Sequence, residues 1–209
     1  MKKDKETRNN LIRSAKKAFA EKGYMKASLR TICKNAGVTT GALYFFFKDK
    51  DDLFDAVVGG TINEIYKMMQ AHFEDEKNIV ASGNGFTPSA EESSEHMLTT
   101  SQVIHQMYLH REDILLALTK SQGTKYENVA DWFIDAAEKH YRLMADAMMK
   151  QYPKTKMDDK FIHWLAHEQI DTFIFMISHI ETEQEALPFI KQAVAYMMAG
   201  WYGIFLPRQ

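Results

Sequence analysis

The sequence has few of the features that mark secreted, membrane-bound or covalently cross-linked proteins. Cys33 is the only cysteine, which excludes an intrachain disulfide and fits a reducing compartment. No apolar run approaches the roughly 18 residues needed to span a bilayer. The first residues are mostly charged, without the apolar core of a signal peptide. With no internal repeat and no segment of strand period, we expect a soluble, cytoplasmic, all-α protein.

The net charge of −2 conceals an uneven distribution along the chain. Residues 1–50 carry a balance of +9, whereas residues 51–209 carry a balance of −11. A basic head on an acidic body is typical of a nucleic-acid-binding module joined to a part with another role. The sequence therefore predicts a DNA-binding domain over residues 1–50 and a helical domain for effector binding and dimerisation over residues 51–209.

Residues 28–50 have the pattern of a helix-turn-helix. Apolar residues recur at helical spacing in the first half, and Ser28 can cap this helix. Gly37 can adopt the positive φ that ends a helix, and Thr39 can cap the next one. An amphipathic stripe over about residues 7–22 predicts a preceding helix, which would complete a three-helix bundle. A helix-turn-helix places its second helix in a DNA groove.

The pattern stays helical along the rest of the chain. Asp49 can cap a fourth helix that is longer than a DNA-binding bundle requires, which suggests a connecting rod with a weak point at Gly59 and Gly60. Residues 82–95 are rich in helix breakers and predict a mobile loop. Further helices are expected near residues 93–110, 112–120, 124–150, 158–180 and 183–205. The prediction is an all-α chain of about nine helices.

The last two predicted helices are apolar nearly all round, unlike the one-sided helix before them. Such a helix must be covered on more than one side. In a chain of 209 residues, the economical explanation is a homodimer in which these two helices pack on their copies as a four-helix interface. The alternative is a central helix that is buried within a single chain.

Small side chains begin the second helix of the helix-turn-helix, as close approach to a groove floor requires. Threonine hydroxyls can bond bases or phosphates, their methyl groups can touch thymine methyls, and cations meet the phosphate backbone. The candidate DNA-binding residues are Arg30, Thr39, Thr40, Gly41, Ala42, Tyr44, Lys48 and Lys50. The alternative is that these cations form only a solvated face.

Four segments of the head make the pattern more specific. FAEKGY, ASLRTI, AGVTTGALY and FKDKDDL, in chain order, closely resemble the N-terminal signature of TetR-family transcriptional regulators. The resemblance covers about residues 8–56 and implies an all-helical homodimer, a head that binds operator DNA and a body that usually binds a small molecule. Of the candidates above, it implies DNA contacts for all except Lys48. Phe46 departs from the family, which often has His or Tyr there and so gains a possible phosphate hydrogen bond.

The body is rich in methionine and aromatic residues, which suit an adaptable apolar pocket but also simply fill helical cores. His163, His167 and Asp171 follow one another at intervals of four residues on a largely apolar helix, with Glu168 beside them. Two histidines one turn apart can chelate a metal, although this ladder could equally contact a ligand or form an interface. Residues 121–126 could seal one end of a pocket or form a capped loop. The candidate ligand-binding residues are Met107, His110, Trp132, Tyr141, Met144, His167 and Asp171.

Taken together, these features favour a dimeric repressor that binds a palindromic operator and is released by a small molecule. We expect no catalytic residue, no cofactor, no metal and no membrane partner. One alternative is a metal-dependent helical enzyme that uses His163 and His167. Another is a helical regulator that meets a protein partner and needs no ligand.

Overall fold

The computed structural model describes residues 2–81 and 90–205, and in these ranges it contains helices and turns but no strand. The helices are α1 (Lys2–Lys26), α2 (Leu29–Ala36), α3 (Thr40–Phe46), α4 (Lys50–Ala81), α5 (Ala90–Leu109), α6 (Arg111–Thr119), α7 (Val129–Gln151), α8 (Asp159–His179) and α9 (Glu183–Phe205). The predicted all-α class and the approximate number of helices are confirmed for the part of the chain described.

Short-range chemistry sets the ends of the first helices. Gly37 has a φ of 71° and ends α2, as predicted. Thr39 caps α3, because its Oγ1 accepts the N–H of Ala42 at 3.2 Å. Asp49 plays the same part for α4 by accepting the N–H of Asp52 at 2.8 Å. The cap predicted for Ser28 is wrong: its exposed hydroxyl makes no capping hydrogen bond.

Two of the predicted boundaries are also wrong. α7 begins at Val129 rather than near residue 124, because residues 121–128 form turns closed by their own hydrogen bonds. α5 begins at Ala90, so residues 90–95 are helical rather than loop. The rest of the predicted loop, residues 82–89, lies outside the described residues. α4 continues through both of its glycines.

The described residues group into two compact units. One comprises those of Met1–Glu64 and His110–Val129, and the other comprises those of Ile65–Leu109 and Ala130–Gln209. The functional division predicted at residue 50 stays a prediction. None of the described helices is both long enough and apolar enough to cross a membrane.

The first unit buries one face of each helix of the three-helix bundle, together with the start of α4. α6 joins this unit by packing against α1, where Lys16 Nζ lies 3.0 Å from Glu112 Oε2 and 2.9 Å from Asp113 Oδ1. Buried apolar side chains of this unit include Leu11, Ala15, Phe19, Ile32, Leu43, Phe47, Leu53, Phe54 and Leu116. Opposite this core, the first unit presents the outer faces of α2 and α3.

The second unit has two buried clusters. One is formed by Ile134, Ala137, Ala166 and Ile170. The other is formed by Met144, Met148, Tyr202 and Phe205. Each cluster joins α7 to one of the last two helices, so much of the apolar surface of α8 and α9 is used within the chain.

The two predicted helix caps of the helix-turn-helix can be compared directly. We expect Thr39→Ala to lower the free energy of unfolding by about 1 kcal/mol, because the N–H of Ala42 loses its acceptor. Ser28→Ala is the matched control and should change stability by less than about 0.5 kcal/mol. Urea denaturation of the DNA-free protein measures both. Equal losses would contradict the different roles of the two hydroxyls.

Candidate nucleic-acid interface

The helix-turn-helix has one buried face and one open face. Ile32 and Cys33 of α2 and Leu43 of α3 are buried, with Phe47 closing the bundle just after α3. Ser14 Oγ donates to the carbonyl of Ile32 at 2.8 Å and so ties α2 to α1. The buried face therefore fixes the angle between the two helices, and the open face is available to a partner.

Most of the residues predicted to contact DNA lie on this open face. Arg30, Thr39, Thr40, Gly41, Tyr44 and Lys48 are exposed, whereas Ala42 and Lys50 are half-buried. The Oγ1 of Thr39 is already used as the helix cap. Thr40 is thus the threonine of this pair whose hydroxyl makes no cap, at the very start of α3.

Lys50 differs from the other candidate cations in its surroundings. Its Nζ donates to the carbonyl of Met25 at 3.3 Å and lies 4.4 Å from the centre of the Tyr24 ring. Burial lowers the pKa of Lys50. This side chain therefore ties the start of α4 to the end of α1, besides any contact it makes with a phosphate.

The same junction contains a second tie between α1 and α4. The hydroxyl of Tyr24 donates to the carboxylate of Asp51. Burial and this hydrogen bond raise the pKa of Tyr24, which keeps it protonated as a donor. Next to Asp51, Asp52 accepts the N–H of Lys48 at 2.8 Å, which fixes the turn between α3 and α4.

Phe45 is a surface residue that was not among the predicted contacts. Its ring is 78% exposed, beside Tyr44 at 55%. Its position could have been predicted, since Leu43 and Phe47 are one turn apart on the buried face and Phe45 falls opposite them. Phe46 is half-buried, with its ring edge-on to that of Phe45 at 5.0 Å. The open face of α3 thus carries two adjacent aromatic side chains.

The predicted ligand-binding residues do not form a single group. His110 belongs to the first unit and the others to the second. Met107 and Met144 are buried, Trp132, Tyr141 and His167 are half-buried, and Asp171 is exposed. Tyr141 packs on the cluster around Ala137, and Met144 belongs to the cluster around Tyr202.

The histidine ladder on α8 contacts α7 through its first member, His163. His163 Nδ1 lies 2.7 Å from Glu138 Oε2, and the two rings of His163 and His167 are 4.7 Å apart. The hydrogen bond from His163 lowers the pKa of Glu138, burial opposes this, and the hydrogen bond from Arg142 lowers the pKa further. Within the ranges described, no group of three or more His, Cys, Asp or Glu residues could hold a metal ion.

A buried polar group in the second unit was missed by the sequence analysis. Glu76 is 8% exposed, and its carboxylate contacts the Nε2 atoms of His140, at 2.5 Å, and His72, at 3.4 Å. The ring of Phe73 stacks on His140 with 4.1 Å between centres. The signal for this group was the spacing, since residue 76 continues the apolar stripe of α4 one turn beyond Phe73.

Tyr141 lies in the field of this acidic group. Burial raises the pKa of Tyr141, and the negative charges of Glu76 and Glu168 raise it further. The Tyr141 ring lies 5.6 Å from that of Trp201. This part of the second unit therefore combines aromatic faces with carboxylates, a chemistry that suits a ligand bearing donors or positive charge.

Comparison with known proteins finds sequence similarity to a family of regulators at the helix-turn-helix. The family model described as "Bacterial regulatory proteins, tetR family" matches residues 11–57. The HTH-type transcriptional repressor BepR of Brucella suis is 26% identical over 168 residues, which cover 70% of this chain and 80% of BepR. The HTH-type transcriptional regulator AcrR of Shigella flexneri is 46% identical over 52 residues, about a quarter of either chain.

Solved structures share the fold along most of the chain. A transcriptional regulator from Aquifex aeolicus is similar with a TM-score of 0.51 and 21% identity, covering 95% of this chain and 99% of that one. NalD, the secondary repressor of the MexAB-OprM multidrug efflux pump in Pseudomonas aeruginosa, gives a TM-score of 0.52 at 17% identity and covers 92% of this chain and 97% of its own. The likeness thus extends well past the helix-turn-helix.

Proposed function

The chain belongs to the TetR family of bacterial transcriptional regulators, and from that premise we propose that it is a dimeric repressor, released from a palindromic operator by a small molecule. The observation that carries the DNA-binding part is the open face of α3. There, small polar residues and two exposed aromatic rings stand over a buried core. Repression is supported by the name of the relative BepR, and an operator-binding regulator would act in the cytoplasm.

Each residue of the open face has a distinct task in this proposal. Thr40 reads a base edge through its hydroxyl or methyl group. Arg30 and Lys48 meet phosphates, and Tyr44 donates its phenolic hydrogen to the backbone. Phe45 contributes apolar contact with thymine methyls or deoxyribose, since removing an exposed phenyl ring from water is favourable.

Dimerisation through α8 and α9 is supported by apolar residues that remain exposed on these helices. Phe161, Trp164, Phe175 and Tyr196 are all exposed. Phe161 stacks on Trp164 at 5.3 Å, so the exposed rings form local groups instead of being scattered singly. A stable interface buries about 800 Å² per partner, to which aromatic side chains contribute strongly. With two heads related by a two-fold axis, operator half-sites would lie about 34 Å apart.

The effector site is proposed for the second unit, beside Tyr141. The support is the buried Glu76 group together with the aromatic ring of Trp201. A ligand bound there releases DNA only to the extent that it prefers the conformation with lower DNA affinity. The metal-dependent enzyme considered above finds no support in the residues described.

DNA binding can be tested on the open face of α3. After selection of a preferred duplex from a random pool with the wild-type protein, we expect Tyr44→Ala and Phe45→Ala each to weaken binding about tenfold. Thr40→Ala should instead alter the base preference, because a base contact contributes about 1–3 kcal/mol of discrimination. Leu98→Ala is the control, since it shortens an exposed apolar side chain on α5. Gel-shift titrations in which Tyr44→Ala, Phe45→Ala and Thr40→Ala all match the wild type would contradict the assignment of this face.

The proposed dimer interface makes a prediction about mass in solution. Light scattering should give twice the chain mass of 24.2 kDa for the wild type. Phe175→Glu or Tyr196→Glu should shift the protein towards the monomer, because each would bury an unpaired carboxylate in the interface. Lys139→Glu, at an exposed position of α7, is the control and should leave the mass unchanged. A dimer that tolerates both substitutions would place the interface elsewhere.

The effector site is tested with a library of apolar and cationic small molecules. At one hundred times its Kd, a true effector stabilises the protein by about 2.7 kcal/mol, which raises its melting temperature. Compounds found in this way should release the selected duplex, and Tyr141→Phe should weaken their effect. Tyr152→Phe, at another half-buried tyrosine of the second unit, is the matched control. Hits that stabilise both variants as they do the wild type would place the site away from Tyr141, and a protein that binds the duplex but yields no hit would favour the regulator that needs no ligand.

A further inference from the structure

Residues 120–128, which we call the α6–α7 turn, are attached to two other elements of the first unit. The carbonyl of Lys120 accepts the N–H of Tyr24, near the end of α1, at 2.9 Å. On α4, the hydroxyl of Tyr126 donates to the carboxylate of Asp55, and Lys125 Nζ lies 2.7 Å from the same oxygen. The turn therefore bridges the end of α1 and the second turn of α4.

The turn is held in shape by its own polar side chains. The buried Ser121 Oγ lies 2.6 Å from the carbonyl of Ala117 and 3.0 Å from that of Tyr126. Thr124 Oγ1 donates to the carbonyl of Ser121 at 2.7 Å and accepts the N–H of Tyr126 at 3.0 Å. Gly123 takes the positive φ of 85° that this path requires. The position of the Tyr126 ring is consequently fixed by the turn as well as by its packing.

The hydroxyl of Tyr126 occupies space that exists only because residue 59 is glycine. A Cβ atom at Gly59 would lie 2.5 Å from the Tyr126 hydroxyl oxygen and 2.6 Å from Asp55 Oδ1. Gly59 has no positive φ, so its backbone does not require glycine, and glycine inside a helix is destabilising relative to alanine. At the adjacent Gly60, an added Cβ would meet nothing within 4 Å. Glycine at position 59 therefore leaves the space in which the Tyr126 hydroxyl packs against α4.

The charge states of Tyr126 and Asp55 strengthen the hydrogen bond between them. Burial would raise the pKa of Asp55, but the hydrogen bonds from Lys125 and Tyr126 outweigh it and hold the pKa below the ordinary value. Burial and the bond to Asp55 raise the pKa of Tyr126. At neutral pH the contact is thus a protonated phenol donating to a carboxylate, which is stronger than a hydrogen bond between neutral groups.

We propose that Tyr126 is a positioning residue for DNA binding, acting through Asp55 and Gly59 on the start of α4. One turn before Asp55, Asp51 and Asp52 hold the end of α1 and the turn after α3. Fixing Asp55 therefore fixes the junction that orients α3. Tyr126 is 1% exposed and belongs to the core of the first unit, so it acts on DNA only through these neighbours.

The experiment uses four variants in the first unit, each made in the full chain, and the duplex selected by the wild type. Gly59→Ala should weaken DNA binding about tenfold, because its methyl group displaces the Tyr126 hydroxyl. Tyr126→Phe should weaken binding about threefold. The double variant should bind no worse than Tyr126→Phe alone, since loss of the hydroxyl makes room for the methyl group while Asp55 can turn towards Lys125. Gly60→Ala is the matched control and should bind as the wild type does.

The readout separates positioning from general stability. Binding is measured at a temperature where circular dichroism shows every variant to be folded. Ile134→Val, a core change in the second unit, serves as a variant that is destabilised without touching the turn. DNA affinities of Gly59→Ala and Tyr126→Phe within twofold of wild type, with lowered melting temperatures like that of Ile134→Val, would overturn the proposal. A wild-type protein that selects no duplex would instead contradict the proposed function.

Discussion

The burial of Phe54 is the interaction on which the first unit depends. Its ring lies 5.0 Å from that of Phe19 and 5.4 Å from that of Tyr24, both edge-on, and 6.1 Å from that of Tyr126. Phe54 of α4 thus packs against both α1 and the α6–α7 turn. Tyr24 and Tyr126 turn their hydroxyls to Asp51 and to Asp55, one turn apart on α4. Aromatic packing provides the cohesion, and the two carboxylates fix the geometry.

The basic residues of the head fall into two groups, those that make contacts within the protein and those that are exposed. Lys16 forms an ion pair with Asp113 of α6. Lys50 contacts the carbonyl of Met25 and the ring of Tyr24 near the end of α1. Arg30 and Lys48 are exposed around the helix-turn-helix. Part of the balance of +9 over residues 1–50 therefore comes from cations that make contacts within the protein. The cations available to DNA phosphates are the remaining, exposed ones.

The parts of the fold that sequence predicted are those in which cause and effect are close along the chain. Thr39 and Asp49 cap helices through an N–H three residues later, and Gly37 ends a helix through its own φ. The start of α7 was misjudged because Tyr126 has the spacing of a helical residue, while its partner Asp55 is 71 residues away. The spacing of Glu76 places it on the buried stripe of α4, but its partner His140 on α7 is remote in sequence. Periodicity thus indicates which face a residue lies on, and it does not identify a partner in a distant segment.

The division into units places the α6–α7 turn next to a point where the chain passes from the first unit to the second. The chain passes between the units after Glu64, after Leu109 and after Val129. The last of these passages lies just three residues beyond Tyr126, at the start of α7. A ligand changes DNA affinity only through states that differ in packing, and closely packed groups switch between discrete arrangements instead of deforming gradually. A loosely packed turn would deform gradually if α7 shifted. The Tyr126 hydroxyl packs closely against the backbone at Gly59, so it either keeps this contact or loses it entirely.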